Sequence, residues 1–412
     1  MEKLSASATA MSAKNRTMNL LVATNLFPDL KEPWRGLDNA TLVHALQQQD
    51  PGLNIRVLAF RPSLKHFGAA SNQLRPRPED EHLQPEYLWT PYVPRLGGMN
   101  HRLFAFAFAR ALPRDFSPDA VLVPWLFPDA CGVALQAAAW RVPIVAVAQG
   151  SDVHRYLDMR MRKRAILAMS RSVKAIVTRS NDLEKRLARH GADERKVHTI
   201  YNGVDIHTFK PSLRAAARDE LQVPQGEKVL LFVGNFLPVK GLDLLLSAFA
   251  QVLAASAQPV RLALIGGGPL ESALRAQAAE LDIAGQVHFL GRHAAPKVAR
   301  WMQAADAVCL TSHNEGVPNV VLESLSCGRA PVCIDVGGIA EVVAPVLGQR
   351  FLVTQRDAAA YAAALLDVLA NPPDEAVLHQ AARSYSWENC AQQYLALLRG
   401  GGLRINQALA RP

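Results

Sequence analysis

The chain has 412 residues, enough for about two to three domains, and half of its residues are hydrophobic while a fifth are charged. That balance excludes a largely disordered polymer. The net charge of +9 suits nucleic acid, an anionic membrane or a phosphate-bearing substrate, and by itself does not choose between them.

Residues 1–17 lack an apolar core of signal-peptide length and read as a loose tail. Short apolar runs then alternate with helix-length segments, the pattern of βαβ units and parallel sheets. In the first half strands are expected at 18–25, 55–60, 120–124, 144–148 and 175–178, with helices at 39–48, 101–112, 129–140, 160–170 and 181–190. The richest apolar stretch, 120–148, is broken by Pro124, Pro128, Asp129, Arg141 and Pro143, so it reads as strand, helix, strand. No run reaches membrane-span length.

A polar connection at 210–226 separates this half from a second set of strands at 229–233, 261–265, 287–290, 307–311 and 331–334. Helices are expected at 242–255, 270–281, 296–304 and 319–327, with a last amphipathic helix at 387–398. The expected organisation is a tail (1–17), one αβ domain (18–205), a second (206–385) and a closing helix and tail (386–412). In such domains ligands sit beyond the carboxyl ends of the strands, and a cleft between two of them is the default active site. The cysteines Cys131, Cys309, Cys327, Cys333 and Cys390 show no metal-knuckle or CxxC spacing and read as buried reduced thiols.

Several strand-to-helix loops can carry chemistry. In LFPDLKEPWRGLDN, Gly36 can let the backbone meet a phosphate; in VAVAQGSDVHRYL, Asp152 can accept from a sugar hydroxyl, orient an acceptor or cap a helix. In VGNFLPVKG, Lys240 can neutralise a departing diphosphate, or be an ordinary loop lysine before a capping glycine. The turn IGGGPL brings three glycines between strand and helix without forming the GxGxxG fingerprint.

The stretch TSHNEGVPNVVLESLSCGRA places Glu315 before a helix that opens at Pro318–Asn319 and Glu323 in its second turn. Pro suits a first turn, and the N–H groups there make a pyrophosphate seat. The two carboxylates then reach sugar hydroxyls on one side and ribose hydroxyls on the other, unless they are simply solvated. No Asp-x-Asp pair exists to hold a divalent ion bridging a diphosphate.

Taken in order, the glutamate pair, VGN…VKG, IGGGPL and YNGVD (201–205) resemble glycosyltransferase family 4, from about Met18 onward. The resemblance implies the GT-B architecture, two Rossmann-like domains facing across a cleft with the C-terminal helix, from Trp387, crossing back to the first. It implies a retaining, metal-independent transferase that uses a nucleoside-diphosphate sugar and no further cofactor. Glu315 would contact the sugar, Glu323 the ribose and Lys240 the diphosphate; the backbone of Gly316, Val317, Pro318 and Asn319 would hold sugar and phosphates, and Leu270 and Arg292 would lie near the base. Two residues depart from the pattern. Asn235 stands at the diphosphate where the family often has Arg, and Gln149 stands where many members have His, with Asp152 as its substitute.

The N-terminal domain would bind the acceptor, a saccharide or lipid-linked molecule in polysaccharide or glycolipid synthesis. The aromatic segment 101–110 and the basic segment 160–174 either dock on an anionic leaflet or form a buried helix with its solvated neighbour. A cytoplasmic protein at the inner face of the membrane is expected. A catalytically silent sugar-nucleotide-binding protein and an epimerase of the same fold are the rivals. Nucleic acid is not an expected partner, because the aromatics sit in apolar runs and not along a basic stripe.

Overall fold

The structure, a computed structural model, describes residues 17–64, 71, 73–94, 97–140 and 142–400. The first half runs β1 (Asn19–Thr24), α1 (Leu37–Gln49), β2 (Asn54–Ser63), β3 (Glu86–Pro91), α2 (Asn100–Ala111), β4 (Ala120–Val123), α3 (Cys131–Trp140), β5 (Ile144–Ala148), α4 (Ser151–His154), α5 (Arg160–Ser172), β6 (Ala175–Thr178), α6 (Asn181–Arg189) and β7 (Val197–Thr199). The second runs α7 (Arg214–Leu221), β8 (Lys228–Asn235), α8 (Leu242–Ala255), β9 (Val260–Gly267), α9 (Glu271–Glu280), β10 (Val287–Gly291), α10 (Ala295–Ala304) and β11 (Ala307–Leu310). It continues with α11 (Asn319–Ser326), β12 (Ala330–Ile334), α12 (Ile339–Leu347), β13 (Leu352–Val353), α13 (Ala358–Ala370), α14 (Glu375–Ala382) and α15 (Trp387–Leu398).

These elements form two compact units. One holds the described residues up to Arg179, then Leu183–Ile200 and residues 390–400; the other holds Ser180–Asp182 and Tyr201–Asn389. The first unit is built on a seven-stranded parallel sheet in the order β3-β2-β1-β4-β5-β6-β7. Strands β4 (AVLV) and β5 (IVAVA) are buried at every residue, as expected of parallel strands covered on both faces. On one face Phe60 meets Phe104 and Phe108 of α2 at ring distances of 4.6 and 6.3 Å. From Cys390 on, α15 joins this unit through Tyr394, which is 2% exposed, and through a hydrogen bond of 3.1 Å from Gln392 to Gln49.

The second unit is a six-stranded parallel sheet in the order β10-β9-β8-β11-β12-β13. In each sheet the strand order reverses once, between β1 and β4 and between β8 and β11. Loops leaving the carboxyl ends at such a switch point diverge and open a crevice. Three strands were not expected from the sequence: β3, β7 and β13. All are sheet edges, and β7 and β13 have three and two residues, too few to display a period.

Candidate active site

In the second unit the chain leaves β8 at Asn235 and makes a tight 3-10 turn over Pro238–Lys240. It enters α8 through Gly241 at φ 60°, a conformation that glycine adopts without a Cβ penalty. A Cβ there would lie 2.3 Å from the Thr311 carbonyl oxygen, so the β8 loop packs directly on the β11 loop. Two further bonds stitch them together: Thr311 Oγ1 donates to the Lys240 carbonyl at 3.1 Å, and the His313 N–H to the Val239 carbonyl at 2.8 Å. Lys240 and Glu315 thereby meet at the switch point, with Nζ 2.5 Å from Oε1. The Ser312 hydroxyl donates to the same oxygen at 2.7 Å. The two side chains are 26% and 13% exposed, so the pair is partly desolvated and still open to solvent.

Downstream of Glu315 the backbone is held by two glycines that follow β12. The Gly338 N–H donates to the Gly316 carbonyl at 3.0 Å. Gly337 has φ 60°, and a Cβ on it would stand 1.8 Å from the Glu315 carbonyl oxygen. Val317 is buried, and Pro318 in extended conformation precedes α11, whose start no side chain caps. Asn319 and Glu323 share one face of α11, four residues apart. Asn319 Oδ1 accepts from Asn202 Nδ2 at 2.8 Å, which ties the YNGVD segment to this helix.

Asn235 lies beside Gly267 at the ends of β8 and β9. The triple-glycine turn is tight for its own reasons: a Cβ on Gly266 would fall 1.8 Å from the Gly234 carbonyl oxygen. Leu270 donates its N–H to the Phe236 carbonyl at 3.3 Å, and Arg292 Nη2 donates to the Gly267 carbonyl at 3.3 Å. Asn235, Leu270 and Arg292 are thus gathered around this turn, and Lys240, Glu315 and the α11 start around the neighbouring one, along a single carboxyl edge.

The first unit has its own crevice at the β1/β4 switch point, a cavity of about 190 Å³ lined from the ends of β1, β2, β3 and β4 and by Tyr156 and Arg162. Beneath it, the fully buried Asp129 accepts from the Asn25 backbone at 2.6 Å and its amide at 2.8 Å. Burial pushes the Asp129 carboxyl up to about 7, against the pull of those donors. Gly36 caps α1 at φ 64°, and a Cβ would meet the Leu26 carbonyl oxygen at 2.2 Å; the packing of this loop on itself already demands glycine.

Asp152 is 0% exposed. Its carboxyl accepts from the N–H groups of Leu126, Gln149 and Gly150 at 3.2, 2.9 and 2.9 Å, and burial pushes it up to about 6. These bonds hold the loop before α4, and no side chain caps that helix, so the helix-capping alternative does not describe Asp152. The Gln149 amide donates to Asn39 Oδ1 and the Pro124 carbonyl.

The sequence reading missed Arg356, Gly337, Gly338 and the linkage role of Asn202. Arg356 Nη1 donates to the carbonyls of Thr311 and Ser312 at 2.6 and 3.2 Å, bracing the β11 loop. The glycine doublet after a strand was the available signal for Gly337 and Gly338; nothing local marks Arg356. Among the described residues no helix is long and apolar enough to cross a membrane.

A family model described as glycosyl transferases group 1 matches residues 214–385, and one described as glycosyltransferase family 4 matches residues 39–208. A D-inositol 3-phosphate glycosyltransferase of Segniliparus rotundus is 33% identical over 303 residues, 70% of this chain. The match spans 66% of that relative, just under two thirds of its length. Among solved structures, Anabaena HepE in complex with UDP has a TM-score of 0.72 at 20% identity, covering 93% of this chain and 100% of that one. The same protein with UDP-glucose gives 0.69. Sucrose-phosphate synthase from Thermosynechococcus elongatus gives 0.71 at 20% identity over 93% of this chain and 98% of that one. At such identities the likeness speaks for the fold, which is the GT-B pair of parallel sheets.

Proposed function

The chain belongs to the group 1, family 4 glycosyltransferases, and from that premise we propose that it transfers a glycosyl group from a nucleoside-diphosphate sugar to a hydroxyl of a saccharide or lipid-linked acceptor. The observation that carries the reading is the Lys240–Glu315 pair at the β8/β11 switch point. Glu315 engages Lys240 and Ser312 through one oxygen, Oε1, leaving Oε2 for sugar hydroxyls. When donor binds, Lys240 turns from Glu315 to the diphosphate and stabilises the charge that develops on departure. The backbone of Gly316–Asn319 holds sugar and phosphates at the start of α11, Glu323 accepts from the ribose, and Leu270 and Arg292 flank the base.

Transfer proceeds with retention and without a metal, the departing phosphate taking the acceptor proton on the same face. Asn235, an uncharged side chain where the family often carries a cation, favours one second reading: a sugar-nucleotide-binding protein without turnover. UDP-, GDP-, ADP- and dTDP-sugars screened for released nucleotide separate the two. We expect slow release from one donor, falling at least tenfold in Glu323→Ala, and an NMR-resolved product of unchanged anomeric configuration when acceptor is supplied. Saturable donor binding with no release under any acceptor would establish the silent reading.

The acceptor side meets an anionic leaflet through α2, α3 and α5, which pack side by side. This reading is supported by Phe106, Leu135 and Met161, each more than half exposed, among the exposed Arg102, Arg110, Arg160 and Arg164. Vesicles of 30% phosphatidylserine should pellet the protein at low salt, and the double variant Phe106→Ser/Met161→Ser should stay in the supernatant. Equal pelleting of the two would refute the surface.

A further inference from the structure

Glu341 lies in the first turn of α12, just beyond the glycine doublet that packs on the Glu315 loop. Both oxygens of its carboxylate are engaged. Oε2 accepts from the Asn181 N–H at 2.7 Å and the Tyr201 hydroxyl at 2.8 Å, and Oε1 from the Asp182 N–H at 2.8 Å. All four residues belong to the second unit, which takes in Ser180–Asp182 and resumes at Tyr201. The Tyr201 hydroxyl accepts in turn from Asn181 Nδ2 at 2.9 Å, and its ring meets Tyr385 edge-on at 5.6 Å. The three donors are neutral, so each bond is charge-assisted and stronger than a neutral pair.

From this carboxylate two routes lead to the backbone of Gly316–Asn319. Along α12, the Glu341 N–H donates to the Gly338 carbonyl at 3.2 Å, and the Gly338 N–H to the Gly316 carbonyl at 3.0 Å. Along the chain from Tyr201, the buried Asn202 donates to Oδ1 of Asn319, the first residue of α11, at 2.8 Å. The two routes close a ring through Glu341, Gly338, Gly316, Asn319, Asn202 and Tyr201. One side of that ring is the segment 316–319. No side chain caps the start of α11, so the ring is what restrains it. A backbone seat that is already ordered spares the ligand the cost of ordering it.

We propose that Glu341 is a positioning residue for donor binding. It touches no substrate; it holds Gly316–Asn319 in place through Gly338 on one side and through Tyr201 and Asn202 on the other. The proposal rests on the donor reading of the second unit and does not depend on which nucleotide that unit takes. Glu341→Gln opens the ring at nearly constant volume. The amide keeps one acceptor oxygen for three donors and turns an NH2 group toward the rest.

Hydrogen exchange of the full chain without nucleotide is the first readout. Glu341→Gln should speed exchange at Asn181 and Asp182, its direct partners, by about tenfold. It should do the same at Gly338 and Val321, whose N–H groups are bonded to the Gly316 and Pro318 carbonyls; a merely local cap would loosen only the first two. Donor kinetics are the second readout. KM should rise about tenfold while kcat at saturation stays within about threefold, the mark of lost binding shared by ground and transition states. Asn202→Ala cuts the other route and should raise KM alike, and the double variant should be no worse than either single, because both open one ring. Tyr201→Phe removes one hydroxyl from a ring packed on Tyr385; it should shift KM in the same direction, and it carries the test if Glu341→Gln fails to fold. Faster exchange confined to 181–182, a KM equal to wild type, or effects that multiply in the double variant would overturn the proposal. Failure of wild type to bind any nucleotide, with exchange spreading to Gly338 and Val321 as expected, would instead strike at the donor reading of the second unit.

Discussion

Lys240→Ala is expected to lower turnover of the sugar nucleotide by about 10²–10³-fold, the usual cost of removing one group aimed at developing charge. Position carries this expectation. The lysine sits on the loop after β8, directly at the strand-order reversal, with its Nζ 2.5 Å from Glu315 Oε1. Asn235 offers no charge at the neighbouring corner, and Lys240 is held to the β11 loop at both ends, its carbonyl accepting from Thr311 and its ammonium donating to Glu315. If its work is on the leaving group, kcat should fall more than KM rises, because only interactions stronger in the transition state accelerate the reaction. If Lys240 serves only to pair Glu315, the variant should instead lose stability and keep its rate. Steady-state kinetics beside a thermal melt separate these outcomes, and a kcat within threefold of wild type would refute the role.

Gly337→Ala should cost the second unit about 2–4 kcal/mol, several degrees in Tm, and abolish measurable nucleotide binding. Two effects add. The residue sits at φ 60°, where an L side chain is strained. The new Cβ would also stand 1.8 Å from the Glu315 carbonyl oxygen, and a backbone atom cannot swing aside as a side-chain tip does. The segment 315–318 must move, and with it the carboxylate and the approach to α11. Gly285→Ala is the control: an added Cβ there meets nothing within 4 Å, so it should melt and bind as wild type. Equal melting of the two variants would show that the close approach of Gly337 to Glu315 does not matter in solution.

The alternation of strands and helices was legible because each parallel strand is a short, wholly apolar run such as IVAVA, closed by Gly or Pro. The loops of Lys240 and Glu315 were legible for the same local reason, strand end followed by glycine followed by helix. Their meeting was not, since 75 residues separate them and only the order of strands in the sheet brings them together. Arg356 lies one residue before the Asp357 N-cap of α13, and nothing in that short loop distinguishes it from an ordinary surface arginine. The first-unit cavity draws on four strand ends, and no window of sequence contains it. Asp152 shows a different limit: hydroxyl acceptor and helix cap suit the same residue at the same spacing, and its actual partners, the N–H groups of Leu126, Gln149 and Gly150, are set by the fold of the loop.

The measurement that bears most directly on the donor site is calorimetric titration of UDP, GDP, ADP and dTDP into wild type, Lys240→Ala and Arg162→Gln. Saturable binding of one nucleotide to wild type, retained in Arg162→Gln and weakened tenfold or more in Lys240→Ala, is the predicted result. Binding that Lys240→Ala leaves unchanged, or no binding of any of the four, would contradict a nucleoside-diphosphate sugar site at the β8/β11 switch point.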